Sequence, residues 1–258
     1  MKLISNKYFL TVVGVGLLFL IWYILFLVTG QSIYTFPDPG SVLVKSFELF
    51  GKPYLYKCIW GSLYRMLIGF GIASILGILL GMVVGNFTKL KHVFNPTMIA
   101  LRSIPTAALV FLILRLVGFK NASIYIVMVI VFPMVYEATV SGYQNVDVEI
   151  RNSMRIDSPN AFANNFRVLL PLSMPYIAVG LTSSFALSFK IEIMAEVLTS
   201  SSDFYGLGSA ISIAYADQSD GLVSTFAYSF IAILIMMLVT LIIYIIKRLL
   251  KIKNPTAE

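Results

Sequence analysis

The sequence of 258 residues is short of the groups that carry bond chemistry. It has one cysteine, Cys58, and one histidine, His92. A lone cysteine excludes an internal disulfide and a cysteine-rich metal site, and a lone histidine excludes a multi-histidine one. No Ser–His or Cys–His pairing with a credible partner stands out, and no G-x-x-x-x-G-K-[ST] loop exists to cradle phosphates. Charge is scarce too. Asp, Glu, Lys and Arg make up 12% of the chain, against roughly 25% in a soluble domain. That excludes an ordinary water-soluble domain, whose surface needs polar cover.

What is plentiful is apolar sequence, at 59% of residues. Runs of about 20 apolar residues can each cross a bilayer core of about 30 Å as a helix. Six spans are expected, over 8–29, 62–86, 94–118, 121–143, 175–199 and 222–247. The first is too long for a signal-peptide core of about 7–15 residues and lacks a small-x-small cleavage site, so it is expected to be a retained anchor. The third and fourth are interrupted by Arg102, Pro105, Arg115 and Pro133, yet about 50 residues are too many for one crossing. The expected fold is therefore an all-α integral membrane protein, a single transmembrane domain over 1–258 with a polar loop at 144–174.

The net charge is +7. In a soluble protein this would suggest nucleic acid; here no nucleic-acid partner is expected and the excess should mark the cytoplasmic side. With the N-terminus inside, Lys2, Lys7, Lys89, Lys91, Arg151, Arg155, Arg167, Lys247, Arg248, Lys251 and Lys253 fall on the inner side. Only Lys45, Lys52, Lys57 and Lys120 fall outside. The asymmetry predicts both termini in the cytoplasm.

Three groups of residues carry the functional expectations. Gly77, Gly81 and Gly85 lie on one face of the second span, where another helix can approach closely. In the fifth span, Glu192 and Glu196 share a face, whereas Lys190 and Glu192 lie about 200° apart at 3.6 residues per turn and cannot meet. These three charges either pair with another helix or line a path through the membrane. Arg102 and Glu137, near the cytoplasmic ends of their spans, are candidates for the same path or for interfacial anchors. No metal-ligating set is found. In the loop, Val148, Ile150 and Met154 form one apolar stripe. Asp157-Ser-Pro marks a break, with Ser158 as N-cap and Pro159 at the first helical position. Phe162, Phe166 and Leu169 form a second stripe. Two short amphipathic helices are expected, packed on the protein's own helix ends or docked on a partner.

Several segments, in order, resemble permease subunits of binding-protein-dependent ABC importers, in the branch serving nitrate, taurine and aliphatic sulfonates. These are Phe36-Pro-Asp-Pro-Gly-Ser, Gly61-Ser-Leu-Tyr-Arg-Met-Leu-Ile-Gly-Phe, Ala100-Leu-Arg-Ser-Ile-Pro-Thr, Leu169-Leu-Pro-Leu-Ser-Met-Pro, Ala195-Glu-Val-Leu and Tyr205-Gly-Leu-Gly. The family's loop motif is E-A-A, then Gly, ending in L-P. Aligned on Leu170 and Pro171, it puts Asn152, Ser153 and Met154 at the E-A-A positions and Ser158 at the glycine, and none of the four matches. The resemblance implies a type I importer permease in a bacterial inner or plasma membrane. It implies a coupling helix in the loop, with Phe162 and Phe166 against an ATPase. Its partners would be two ATPase subunits holding ATP and Mg, a second permease copy in a homodimer, an external or periplasmic substrate-binding protein and membrane lipid. The chain itself would need no cofactor and perform no catalysis, and its cargo would be a small anion or organic solute. An ion-coupled secondary transporter using Lys190, Glu192 and Glu196, or a permease-like scaffold, stays open as an alternative from the residues alone.

Overall fold

Inside lipid no water is present to satisfy backbone N–H and C=O groups, so apolar runs of this length must close their hydrogen bonds as helices. The computed structural model describes residues 7–119, 121–157, 164–199, 204–217 and 219–249, and they are helical between short turns. Five described helices are long and apolar enough to cross a bilayer, or six if one bent pair counts as a span.

The first, α1, covers Lys7–Val28, and its apolar span Phe9–Val28 has no buried face. It is tied down by Trp22, whose indole N–H donates to the Pro37 carbonyl at 3.1 Å. The amphipathic α2 covers Pro39–Phe50 and buries Val42, Ser46 and Leu49. Asp38 caps it by accepting the Ser41 N–H at 2.8 Å, with Pro39 in the first turn, the pairing expected at a helix start. Helix α3, Pro53–Asn86, has 34 residues and begins nine residues before the span predicted from 62.

The third expected span, 94–118, is not one straight helix. It is α4, Thr88–Ser103, and α5, Thr106–Val117, bent by 96°. The cause is Pro105, which lacks an N–H and forces the residue before it out of the helical region. Ile104 accordingly sits at φ −66°, ψ 125°. The fourth span is α6, Ala122–Gln144.

The polar loop holds α7, Val148–Asp157. The expected second loop helix is not separate in its described part. Asn165–Leu169 form a π-turn that runs directly into α8, Leu170–Leu198. The wider turn carries the chain into a helix whose first turn contains Pro171: the Leu170 N–H reaches back to the Asn165 carbonyl. The π-turn and α8 together span 34 residues, about 50 Å at 1.5 Å per residue. Helix α9, Leu207–Asp217, and α10, Val223–Leu249, complete the order.

The centre of the structure is α6 between α3 and α8. Gly77, Gly81 and Gly85 make the α3–α6 approach possible. A Cβ at each would lie 2.9 Å from Val135 Cβ, 2.6 Å from Thr139 Cβ and 2.6 Å from Tyr143 Cβ respectively, closer than real side chains pack. Gly180 of α8 meets Ala138 of α6 in the same way. The core thus stays close-packed along its length. One end carries α2, the start of α3, the end of α8 and α9. The other carries the end of α3, the start of α4, α7 and the π-turn.

Candidate functional site

At the α9 end, the 3.6-residue period puts Glu192 and Glu196 on one face of α8, and both are completely buried. The same period puts Ser62 and Arg65 on one face of α3. The two faces meet. Arg65 bonds Glu196 through Nη2 and Glu192 through Nε at 3.2 Å. The Ser62 hydroxyl lies 2.8 and 2.7 Å from the two Glu196 oxygens.

The start of α9 closes the cluster from above. The Gly208 N–H donates to Glu196 Oε2 at 2.8 Å, and the Leu207 N–H donates to Ser62 Oγ at 2.8 Å. Arg65 Nη2 also donates to the Tyr205 carbonyl at 2.8 Å, and its guanidinium lies 4.8 Å from the Phe204 ring centroid. This explains Tyr205-Gly-Leu-Gly. A Cβ at Gly206 would lie 2.6 Å from Glu196 Oε1, and one at Gly208 would strike the Ile193 carbonyl and come within 2.6 Å of Glu196 Cβ. Gly61 likewise lets α3 pass the Tyr205 carbonyl. Only glycine lets this backbone reach the carboxylate.

Charges taken out of water are costly unless fully bonded. Glu196 meets that condition; Glu192 does not, because its Oε2 has no hydrogen-bond partner among the described residues. The arrangement locks three helices together through one glutamate. Among the described residues, no group of three His, Cys, Asp or Glu gathers that could hold a metal ion.

Lys190 lies on the opposite side of α8, exposed. It lines an apolar groove of about 450 Å³ between α8, α9 and α10, with Phe189, Ile193, Met194, Ile211 and Met236. Among the described residues it makes no ion pair. Arg102 and Glu137 do pair, joining the end of α4 to α6, and both are exposed, at 50% and 60%.

In the loop, Asn152 and Ser153 are exposed and Met154 is half-buried. Met154 and Leu170 pack on the core formed by Met82, Tyr143, Val146, Leu169 and Ile177. The Asn164 amide donates to the Met154 carbonyl at 3.1 Å, tying α7 to the π-turn. Phe166 and Pro171 are exposed. Ser158 and Phe162, with the expected cap and break, lie outside the described residues.

Residues 73–253 match the family described as the binding-protein-dependent transport system inner membrane component. The chain belongs to this family. It is a permease subunit of an ABC importer. The nitrate import permease protein NrtB of Synechocystis sp. is 29% identical over 75% of this chain and 73% of its own length. The aliphatic sulfonates transport permease protein SsuC of Bacillus subtilis, itself a putative assignment, is 26% identical over 64% and 60%. The bicarbonate transport system permease protein CmpB of Synechococcus elongatus is 31% identical over 60% and 55%. The fold matches the inward-facing MetNI methionine ABC transporter with a TM-score of 0.66 at 16% identity. That match covers 78% of this chain and 96% of the other.

Permease subunits of this family are non-catalytic membrane components that work with an ATPase and a substrate-binding protein. The sequence pointed to Glu192 and Glu196 as either an inter-helix pair or a path lining. Both carboxylates pair with Arg65 of α3. Ser62 and Arg65 went unrecognised because nothing in a single sequence says which helix faces α8. The available signal was an arginine three residues after a serine inside an apolar span.

Proposed function

We propose that this permease forms half of an ATP-driven import path for a small anion, paired with a second copy and seated on two ATPase subunits. Both termini are assigned to the cytoplasm, because the basic residues concentrate at the α7 end. The cargo class rests on the relatives, whose names specify nitrate, aliphatic sulfonates and bicarbonate. Lys190 and the Arg102–Glu137 pair are assigned to the path, since they are exposed charges within or at the ends of the spans and charge is costly in lipid.

One observation carries the mechanism: the continuous rod of the π-turn and α8. It begins in the segment 144–174 and ends in the Glu192–Glu196 cluster about 45 Å away. Asn152, Ser153, Ser158, Phe162 and Phe166 are assigned to coupling with the ATPase. Met154 of α7 and Leu170 at the start of α8 pack on one core, which holds that segment to the rod; Pro171 is assigned to the same coupling segment. Closure of the ATPase pair around ATP would move the segment, and α8 would pass the displacement to the cluster that holds α9. The path then switches which side is open.

Reconstitution with its partner ATPase and binding protein tests the proposal. Uptake of the anion should require ATP hydrolysis and stop with Phe166→Asp while membrane insertion is unchanged. Uptake that continues without ATP and collapses with the proton gradient would instead support an ion-coupled secondary transporter.

A further inference from the structure

A second polar feature lies at the opposite end. A cavity of about 600 Å³ opens between the end of α3, the first half of α4, the end of α6 and α7. Its lining includes Lys91, His92 and Arg151, with Asn95 and Gln144. None of the described lining residues is acidic. Two of the basic groups are held in place by the protein. Lys91 Nζ donates to Gln144 Oε1 at 2.8 Å, which uses one of three ammonium hydrogens. Arg151 donates to the Tyr143 carbonyl. The cations therefore converge on one space from two different elements, α4 and α7.

The surroundings are those of an amphiphile's site rather than a bare ion's. Ile99 lines the cavity and is 65% exposed, as is Val93 next to His92. Phe87, at the junction of α3 and α4, is exposed as well. The cavity sits where α3 and α6 end, the level of lipid headgroups for helices that cross a bilayer. Its volume is many times the ~30 Å³ share of one water molecule, room for a headgroup with its glycerol rather than one small anion.

We infer that the Lys91–His92–Arg151 cavity binds the phosphate of an anionic phospholipid, with the acyl chains lying along the exposed apolar side chains of α4. Basic pockets between helix ends suit such headgroups, and a phosphate accepts several charge-assisted hydrogen bonds at once. The bound headgroup bridges α4 to α7, so it steadies the segment that leads through the π-turn into α8. The inference does not depend on which solute is carried.

Native mass spectrometry of the purified full chain tests it, with phosphatidylglycerol and phosphatidylcholine offered in equal amounts. Wild-type protein should retain phosphatidylglycerol preferentially. The double variant Lys91→Gln, Arg151→Gln should lose that preference on the order of tenfold, as expected for two basic contacts. Lys52→Gln, which removes a lysine at the far end, should keep it. If the double variant does not fold, Lys91→Gln alone reads the same contact. Equal retention of both lipids, or an undiminished preference in the variants, would overturn the site. Full displacement of phosphatidylglycerol by millimolar inorganic phosphate would overturn the lipid as its occupant and leave a free-anion site.

Discussion

Two ion pairs of the same chemistry stand at opposite levels of this permease. Arg65 and Glu196 are buried, and Glu196 is also held by Ser62 and the Gly208 N–H. Arg102 and Glu137 are half or more exposed and touch little else. In the buried pair each charge depends on the other, because removal of one leaves an uncompensated charge out of water. In the exposed pair each charge stays accessible to solvent, so the pair is weak and can be exchanged. One fastens helices. The other leaves both of its charges accessible.

The largest effect expected from this contrast is at Glu196. Glu196→Ala should destabilise the chain by about 3–5 kcal/mol, whereas Glu137→Ala should cost about 0–1 kcal/mol. Thermal unfolding in detergent, followed by reaction of the buried Cys58 thiol, reads both on one scale. Equal losses would erase the distinction between the two pairs. Gly208→Val comes next. Its side chain would run into the Ile193 carbonyl and Glu196, so it should lower stability and release the start of α9 together. A variant as stable as wild type would show that the backbone does not need this close approach.

An effect as small as that at Glu137 is expected outside the spans, at Lys45. Its ammonium lies 3.3 Å from Asp220, which also accepts the Ser224 hydroxyl at 2.5 Å. Burial pushes the Asp220 carboxyl up, but Ser224 and Lys45 together hold it below its ordinary range. A carboxylate lowered in this way stabilises the fold above its unfolded pKa, and loses that contribution as pH falls through its folded pKa. Lys45→Met should therefore cost about 0.2–1 kcal/mol near neutrality and nothing in strong acid. A deficit that persists in acid would mean the lysine acts by packing.

The same contrast shows what could be read in advance. Helix existence, number and approximate position follow from hydropathy, because lipid leaves the backbone no alternative. The Gly77, Gly81 and Gly85 face follows from spacing. The bend at Pro105 was signalled by the proline itself, but an apolar run on both sides outweighed it in a reading based on span length. The π-turn was hidden because Pro171 and Pro175 suggest a helix start, not the continuation of one. Arg65 was hidden for another reason. Periodicity shows which residues share a face of one helix, and the pairing of α3 with α8 is a property of the packed chain. The glycines at 206 and 208 carried no such signal by themselves; they let two backbone N–H groups reach Glu196 and Ser62.

The proposal that α8 links the α7 segment, assigned to ATPase docking, to the buried cluster can be tested with the native cysteine. Cys58 is buried in the same core as Leu207, under the start of α9. The measurement is its rate of modification by a small thiol reagent, in the permease assembled with cysteine-free ATPase and binding-protein subunits. A non-hydrolysable ATP analogue should raise the rate in wild-type permease and leave it unchanged in Phe166→Asp. A rate indifferent to nucleotide, or one that rises equally in the variant, would contradict the linkage.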